Sequence, residues 1–203
     1  MAWCWLTFPA AADHTFLSLP IDCEIGASCY IQNYVDADPS AGAQDYTCGF
    51  LAYATHRGMD FRIRGLKAME KGVMIVAAAP GMMTGVRDGM KDISVHDVKD
   101  PQRLQVIKTK SALGNAVVIR HDHGVVYYGH LREGSVAVRK GQRVDRGEVL
   151  GFVGLSGDTE FPHIHFEVRR NGRVIDPFAA STRQLAIMRH PVRRCGIQKR
   201  SPN

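Results

Sequence analysis

The sequence predicts an antiparallel all-β domain, and three observations carry the prediction. Short runs alternate apolar with polar residues at the two-residue period of a strand, glycine stands at most chain reversals, and helical spacing is scarce through the middle of the chain. In order, "GVMIVAAAPGMMTGV" (72–86) is an apolar run broken at Pro80-Gly81. "NAVVIRHDHGVVYYGHL" (115–131) is a pair of β-branched and aromatic runs around "DHG", a hairpin signal. "GSVAVRKGQRVDRGEVLGFVG" (134–154) alternates tightly between glycines. "HIHFEVRRNGRVIDPF" (163–178) is a second hairpin, turning at Asn171-Gly172, the strongest short turn dipeptide. Two segments stand outside this pattern. Residues 87–113 are polar and read as a long loop inserted between strands, and the residues from Ser181 onward carry helical spacing in "TRQLAIMRH" before a basic end.

Composition sets the frame. The chain has 203 residues, 45% hydrophobic and 23% charged, as expected of one folded globular domain with extra segments at its ends. No apolar run is long enough to cross a membrane as a helix. A formal charge of +6 favours anionic partners, but much of it lies in "MRHPVRRCGIQKR" and no nucleic-acid-binding module accompanies it. Residues 1–12 are apolar and end in "AAA", which reads as the remnant of a signal peptide lacking its basic start, or as a short strand. Of five cysteines, Cys23, Cys29 and Cys48 cluster without the repeated C-x-x-C spacing of a zinc ribbon. Disulfide bonding is the better reading, with Cys29–Cys48 the preferred pair.

Nine histidines justify a search for ligands. In "PHIHFEV", strand alternation sends Ile164, Phe166 and Val168 toward a core and His163, His165 and Glu167 the other way. Two imidazoles so placed stand roughly 6.6 Å apart along the strand, close enough to serve one site, although a solvated strand face would carry the same pattern. "HRGMD" puts His56 and Asp60 four residues apart across a turn at Gly58. Zinc draws on imidazole nitrogen and carboxylate oxygen, and a catalytic zinc keeps three protein ligands. His56, Asp60 and one histidine of the 163/165 pair would supply them. His130 stands at the end of the strand "YYGHL". Hydrolysis by a metal-activated water also needs a base and an oxyanion donor, roles open to non-ligand histidines. His121 and His123 form another H-x-H, but at a hairpin turn, and read as structural or solvated. His96 lies in the inserted segment. His14 and His190 carry no signal. Glu167 reads as support for a ligating histidine or as a surface charge, and is left outside the site.

"HRGMD", "YYGHL", "GQRVDRGEVLGFVGLSGDTEFPHIHFEV" and "VIDP" resemble, in that order, the successive motifs of the LytM/lysostaphin-type zinc endopeptidases, from His56 to Phe178. The upstream "CYIQNYVDADPSAGAQDYTCG" resembles the lead-in of an exported proteobacterial subgroup. The resemblance implies the duplicated hybrid motif, an all-β antiparallel sheet or sandwich-like barrel whose long loops flank a groove. It implies one zinc ion held by His56, Asp60 and His165, with His163 activating water and His130 stabilising the transition state. The implied substrate is a peptide of bacterial peptidoglycan, cut in the stem or the cross-link, and the implied location is the periplasm or cell envelope, with no nucleic acid partner and no membrane span.

The expected organisation is a signal-peptide remnant at 1–12, a Cys-containing lead-in at 13–55, a catalytic domain at 56–180 with the inserted loop 87–113, and a basic tail at 181–203. That inserted loop is longer than in compact members of the family and is expected to wall the groove. A silent or autoinhibited wall-binding regulator on the same fold is the alternative. "GQRVDRGEVLGFVG" is also similar to lipoyl or biotinyl carriers and to sugar-phosphotransferase domains, but the turn offers Asp145-Arg146 where a carrier needs lysine.

Overall fold

Hydrophobic alternation and turn chemistry build the sheet where the sequence puts them. In the computed structural model, which describes residues 17–122 and 124–179, strands β1 (Cys29–Asn33), β2 (Met59–Ile63), β3 (Met74–Val76), β4 (Gly81–Arg87), β5 (Asn115–His121), β6 (Gly124–Leu131), β7 (Arg143–Val144), β8 (Val149–Phe152), β9 (His163–Arg170) and β10 (Arg173–Ile175) alternate with two helices, α1 (Leu66–Lys71) and α2 (Pro101–Lys110). The β9–β10 hairpin turns at Asn171 (φ 51°) and Gly172 (φ 75°), the two positive φ values that the favoured two-residue turn demands. Eight strands form one sheet in the order β1-β2-β9-β6-β5-β4-β7, with β10 pairing β9 beyond β2, while β3 and β8 form a second sheet. Every strand pairing is antiparallel. The large sheet runs from β1 to β7 without closing, so the architecture is an open antiparallel sheet rather than a closed barrel.

The core lies on one face of that sheet. Phe61, Tyr128, Ile164 and Phe166 meet Ile75 of β3 and Leu150 of β8, all fully buried. Each such side chain contributes roughly 1.5–3 kcal/mol by leaving water. Tyr128 is the polar exception, and its hydroxyl accepts the Ala78 N–H at 3.0 Å.

The inserted segment 87–113 is more ordered than a loop. It holds a 3-10 turn at Val95–Asp97 and the ten-residue α2, which is capped by Asp100 and has Pro101 in its first turn. Ile107 buries against Val95 and Val98 to make a small separate cluster. The segment is tied down by Asp92, which accepts the N–H of Leu155 (2.7 Å) and of Glu133 (2.9 Å), and by the Val95 N–H to Thr159 carbonyl bond (3.0 Å).

The lead-in joins the same sheet through β1. The expected Cys29–Cys48 bond is not the one formed: Cys29 pairs with Cys23 across the turn that opens β1. Residues 1–12, the tail 181–203, His14, His123 and His190 lie outside the described residues.

Candidate metal centre

Register brings the site together. In the β2–β9 ladder Asp60 stands directly opposite His165, and on the other side of β9 the partner of His165 is Gly129 of β6. Opposed residues hold their Cβ atoms about 4.5–5.5 Å apart, so the carboxylate and the imidazole meet without a loop to steer them. The His165 Nδ1 lies 2.9 Å from Asp60 Oδ1, and His56 Nε2 lies 3.2 Å from Asp60 Oδ2 and 3.3 Å from His165 Nδ1. All three residues are buried. His56 reaches this point from the turn before β2, where its Nδ1–H donates to the Tyr34 carbonyl at 2.7 Å. That bond fixes the tautomer and leaves Nε2 bare toward the cluster.

His163 and His130 stand beside this set. His163 shares a face of β9 with His165, and its Nδ1 lies 2.8 Å from the Phe161 carbonyl and 3.1 Å from Thr159 Oγ1. Its Nε2 then faces Asp60 Oδ1 at 3.6 Å. His130 follows Gly129, and simple alternation would send it away from His165. Its φ of 62° breaks the alternation and turns the ring back, to 4.6 Å from the His163 ring and 6.0 Å from the His165 ring. A left-handed non-glycine residue is strained backbone that persists only where the surrounding structure holds it. The His130 Nδ1 is committed to the Ser156 carbonyl at 2.8 Å, leaving Nε2 available.

Electrostatics differ sharply among these groups. Burial alone would raise the Asp60 carboxyl, but the hydrogen bond from His165, the close approach of His56 and the nearby imidazoles hold it well below the usual carboxylate range. Burial would lower His165, yet Asp60 and Glu167 push it up to about 9. For His130, burial wins and the ring is held well below its usual range, helped by the neighbouring histidines. His163 is lowered by burial against the pull of Asp60.

Sequence reasoning left Glu167 out, and the structure puts it directly behind His165. It is 1% exposed, with Oε2 3.7 Å from His165 Nε2 and 3.7 Å from Arg57 Nε, and its other oxygen bound by Arg169. The surface-charge reading fails because this face of β9 is covered as well as the core face. Asn33, whose Nδ2 donates to Asp60 Oδ2 at 3.0 Å, and Tyr53, whose ring stacks 4.2 Å from His56, come from the lead-in and were not anticipated. A groove of about 390 Å³ is lined by Asp60 and His163, by Tyr53, and by Leu104 and Lys108 of α2, so the inserted segment contributes to its lining. His96 also lines the groove and pairs with Glu160 at 2.8 Å. His121 is occupied elsewhere, its Nδ1 2.7 Å from the Pro80 carbonyl.

The donor set suits zinc. Tetrahedral ligands at about 2.0–2.2 Å from an ion stand about 3.4 Å from one another. Here one donor atom from each of His56, Asp60 and His165 lies within 4.8 Å of the others, with closest approaches of 2.9–3.3 Å. Two imidazoles and a carboxylate, buried and oriented from behind, are the ligand chemistry of a metallopeptidase centre. Comparison with known proteins agrees: residues 54–177 match peptidase family M23, and the chain belongs to that family, the LytM/lysostaphin peptidases. It is 45% identical over 73 residues to the DD-carboxypeptidase/endopeptidase Mpg of Neisseria meningitidis, a stretch covering 36% of this chain and 16% of that protein. It is 30% identical over 98 residues to the murein hydrolase activator EnvC of Escherichia coli, covering 48% of this chain and 22% of that one. The fold is similar to that of a zinc-containing peptidase from Vibrio cholerae, with a TM-score of 0.51 and 23% identity over 80% of this chain and 39% of that structure.

Proposed function

We propose that this protein is a zinc-dependent endopeptidase that hydrolyses peptide bonds of bacterial peptidoglycan, in the stem or the cross-link, in the periplasm or cell envelope. One observation carries the reading: a buried His56–Asp60–His165 donor set has His163 and His130 beside it, and Asp60 and His163 line a groove. In this reading the first three hold one zinc ion, which when bound supplies Lewis acidity to the scissile carbonyl and to water. His163 removes the water proton at Nε2, the nitrogen that its Nδ1 bond to the Phe161 carbonyl leaves bare. His130 supports the developing oxyanion from its own Nε2. That role requires a proton there, and negative charge growing on the substrate oxygen favours the protonated ring. The relative named DD-carboxypeptidase/endopeptidase supports the substrate class, and the Cys23–Cys29 bond suits an oxidising compartment.

The match to an activator of murein hydrolases favours a second reading, a regulator on the same fold. Mass spectrometry of muropeptides released from purified peptidoglycan, with and without a chelator, separates the two. Chelator-sensitive products are expected, and their masses identify the bond cut. A folded, zinc-loaded protein that releases nothing would replace the enzyme with the regulator.

A further inference from the structure

The edge strand β1 turns two successive side chains into the groove. In a regular strand Gln32 and Asn33 would face opposite sides of the sheet. Here Ile31 pairs with Phe61 and Asn33 with Asp60, adjacent residues of β2, so Gln32 is the extra residue of a β-bulge. Bulges re-aim side chains, and this one brings Gln32 to the same groove as Asp60 and His163. The two amides then differ. Asn33 is engaged with Asp60, whereas the Gln32 Oε1 is shut off from solvent and accepts no hydrogen bond among the described residues. A buried carbonyl without a donor is costly and rare. The Gln32 side chain lines the groove, and its oxygen has no hydrogen bond to lose, so a rotation of the side chain that turns this oxygen to a donor arriving in the groove relieves the cost.

We infer that Gln32 is a substrate-binding residue, whose side-chain carbonyl accepts one backbone N–H of the peptide lying in the groove. The inference rests on the peptidase reading and adds to it the contact that seats the chain beside the metal. A neutral acceptor suits a neutral amide, since an ammonium group would go to the carboxylate of Asp158 on the same groove. An extended peptide presents such an N–H at every residue, so the bulge selects one of them by position.

The test uses the full chain and a synthetic cross-linked stem peptide in which each non-scissile backbone N–H is replaced in turn by an ester oxygen. Both affinity, by calorimetry, and kcat/KM are read for the unaltered protein and for Gln32→Met, which keeps the side-chain volume and removes the acceptor. The unaltered protein should lose about tenfold at one ester position, the scale of a buried hydrogen bond. Q32M should lose about the same on the all-amide peptide and be indifferent to that one ester. Its zinc content should be unchanged and its thermal midpoint equal or higher, because an unsatisfied acceptor has gone. Parallel responses of the two proteins at every ester position, or a Q32M that binds the all-amide peptide as well as the unaltered protein, would overturn the inference. If the unaltered protein binds but cleaves nothing, and Q32M still erases one ester-sensitive position in the affinities, the hydrolase reading falls and the Gln32 contact stands.

Discussion

Alanine at position 58 is expected to weaken zinc binding severely while leaving the sheet folded. Gly58 is buried in the turn between His56 and Asp60, and a methyl group there would stand 2.5 Å from both Cε1 and Nε2 of His165 and 3.0 Å from the Phe166 carbonyl oxygen. Carbon contacts settle at about 3.5–4.0 Å, so the ring or the turn must give by about 1 Å. The ring has little room, with Asp60 at 2.9 Å on one nitrogen and Glu167 at 3.7 Å from the other. Metal–ligand distances tolerate only about 0.2 Å. The expected loss of zinc affinity is therefore at least about 100-fold, or about 2.7 kcal/mol. The fold should suffer less: overpacking costs about 1–3 kcal/mol, partly offset by the roughly 0.4–1 kcal/mol that alanine contributes by restricting the unfolded chain. Competition titration against a chromophoric chelator reads the first quantity, and urea unfolding of the zinc-free protein reads the second. A G58A variant with zinc affinity within about threefold of the unaltered protein would refute the steric argument.

Three other outcomes follow from the same geometry. Glu167→Gln keeps the shape behind His165 and removes the charge, and zinc affinity should fall about 10–100-fold with secondary structure unchanged by circular dichroism. Zinc affinity should rise about tenfold per pH unit up to about 9, because in the zinc-free protein His165 is raised to about 9 and zinc displaces its proton. The sign is fixed by linkage: the protonated His165–Asp60 pair stabilises the zinc-free fold fully below the unfolded value, about 6.5, and that stabilisation is lost as pH rises through about 9. A pH-independent affinity measured by the same titration would remove His165 from the ligands. Asp45→Ala should free the loop before His56, since one carboxylate accepts from the Thr47 hydroxyl (2.6 Å) and the N–H groups of Thr47 (2.8 Å), Gly49 (2.9 Å) and Leu51 (3.0 Å). The cost is about 3 kcal/mol, visible as faster hydrogen exchange at Gly49 and Leu51.

Strand-level features were legible because period-two alternation and Asn-Gly turns are local. The 115–131 and 163–178 hairpins and the division of β9 into a histidine face and an apolar face could all be read from neighbouring residues. α2 was not legible: of its apolar residues only Ile107 is buried and Val106 is half exposed, so no helical stripe marks it, although Asp100-Pro101 was a readable start signal. Glu167 stayed open between two readings for a related reason. Alternation says which way a side chain points but not what covers that side, and here the covering segments come from distant parts of the chain. The bulge at Gln32 and the partner of Cys29 depend on register and on turn geometry, which composition and spacing do not encode.

Strand β9 has packed residues on both sides, hydrocarbon beneath and histidine above, and this makes it a ruler shared by folding and chemistry. A slip of one residue against β2 would drive His163, His165 and Glu167 into the space of Ile164, Phe166 and Val168. Several kcal/mol of unpaired polar burial stand against that slip, so mispaired forms remain scarce at equilibrium. A metal ion captured by Asp60 and His165, as the proposed function has it, would therefore report that the strands have met in the one alignment that also closes the core. Zinc retention would serve as an assay of correct pairing during refolding, independent of any substrate.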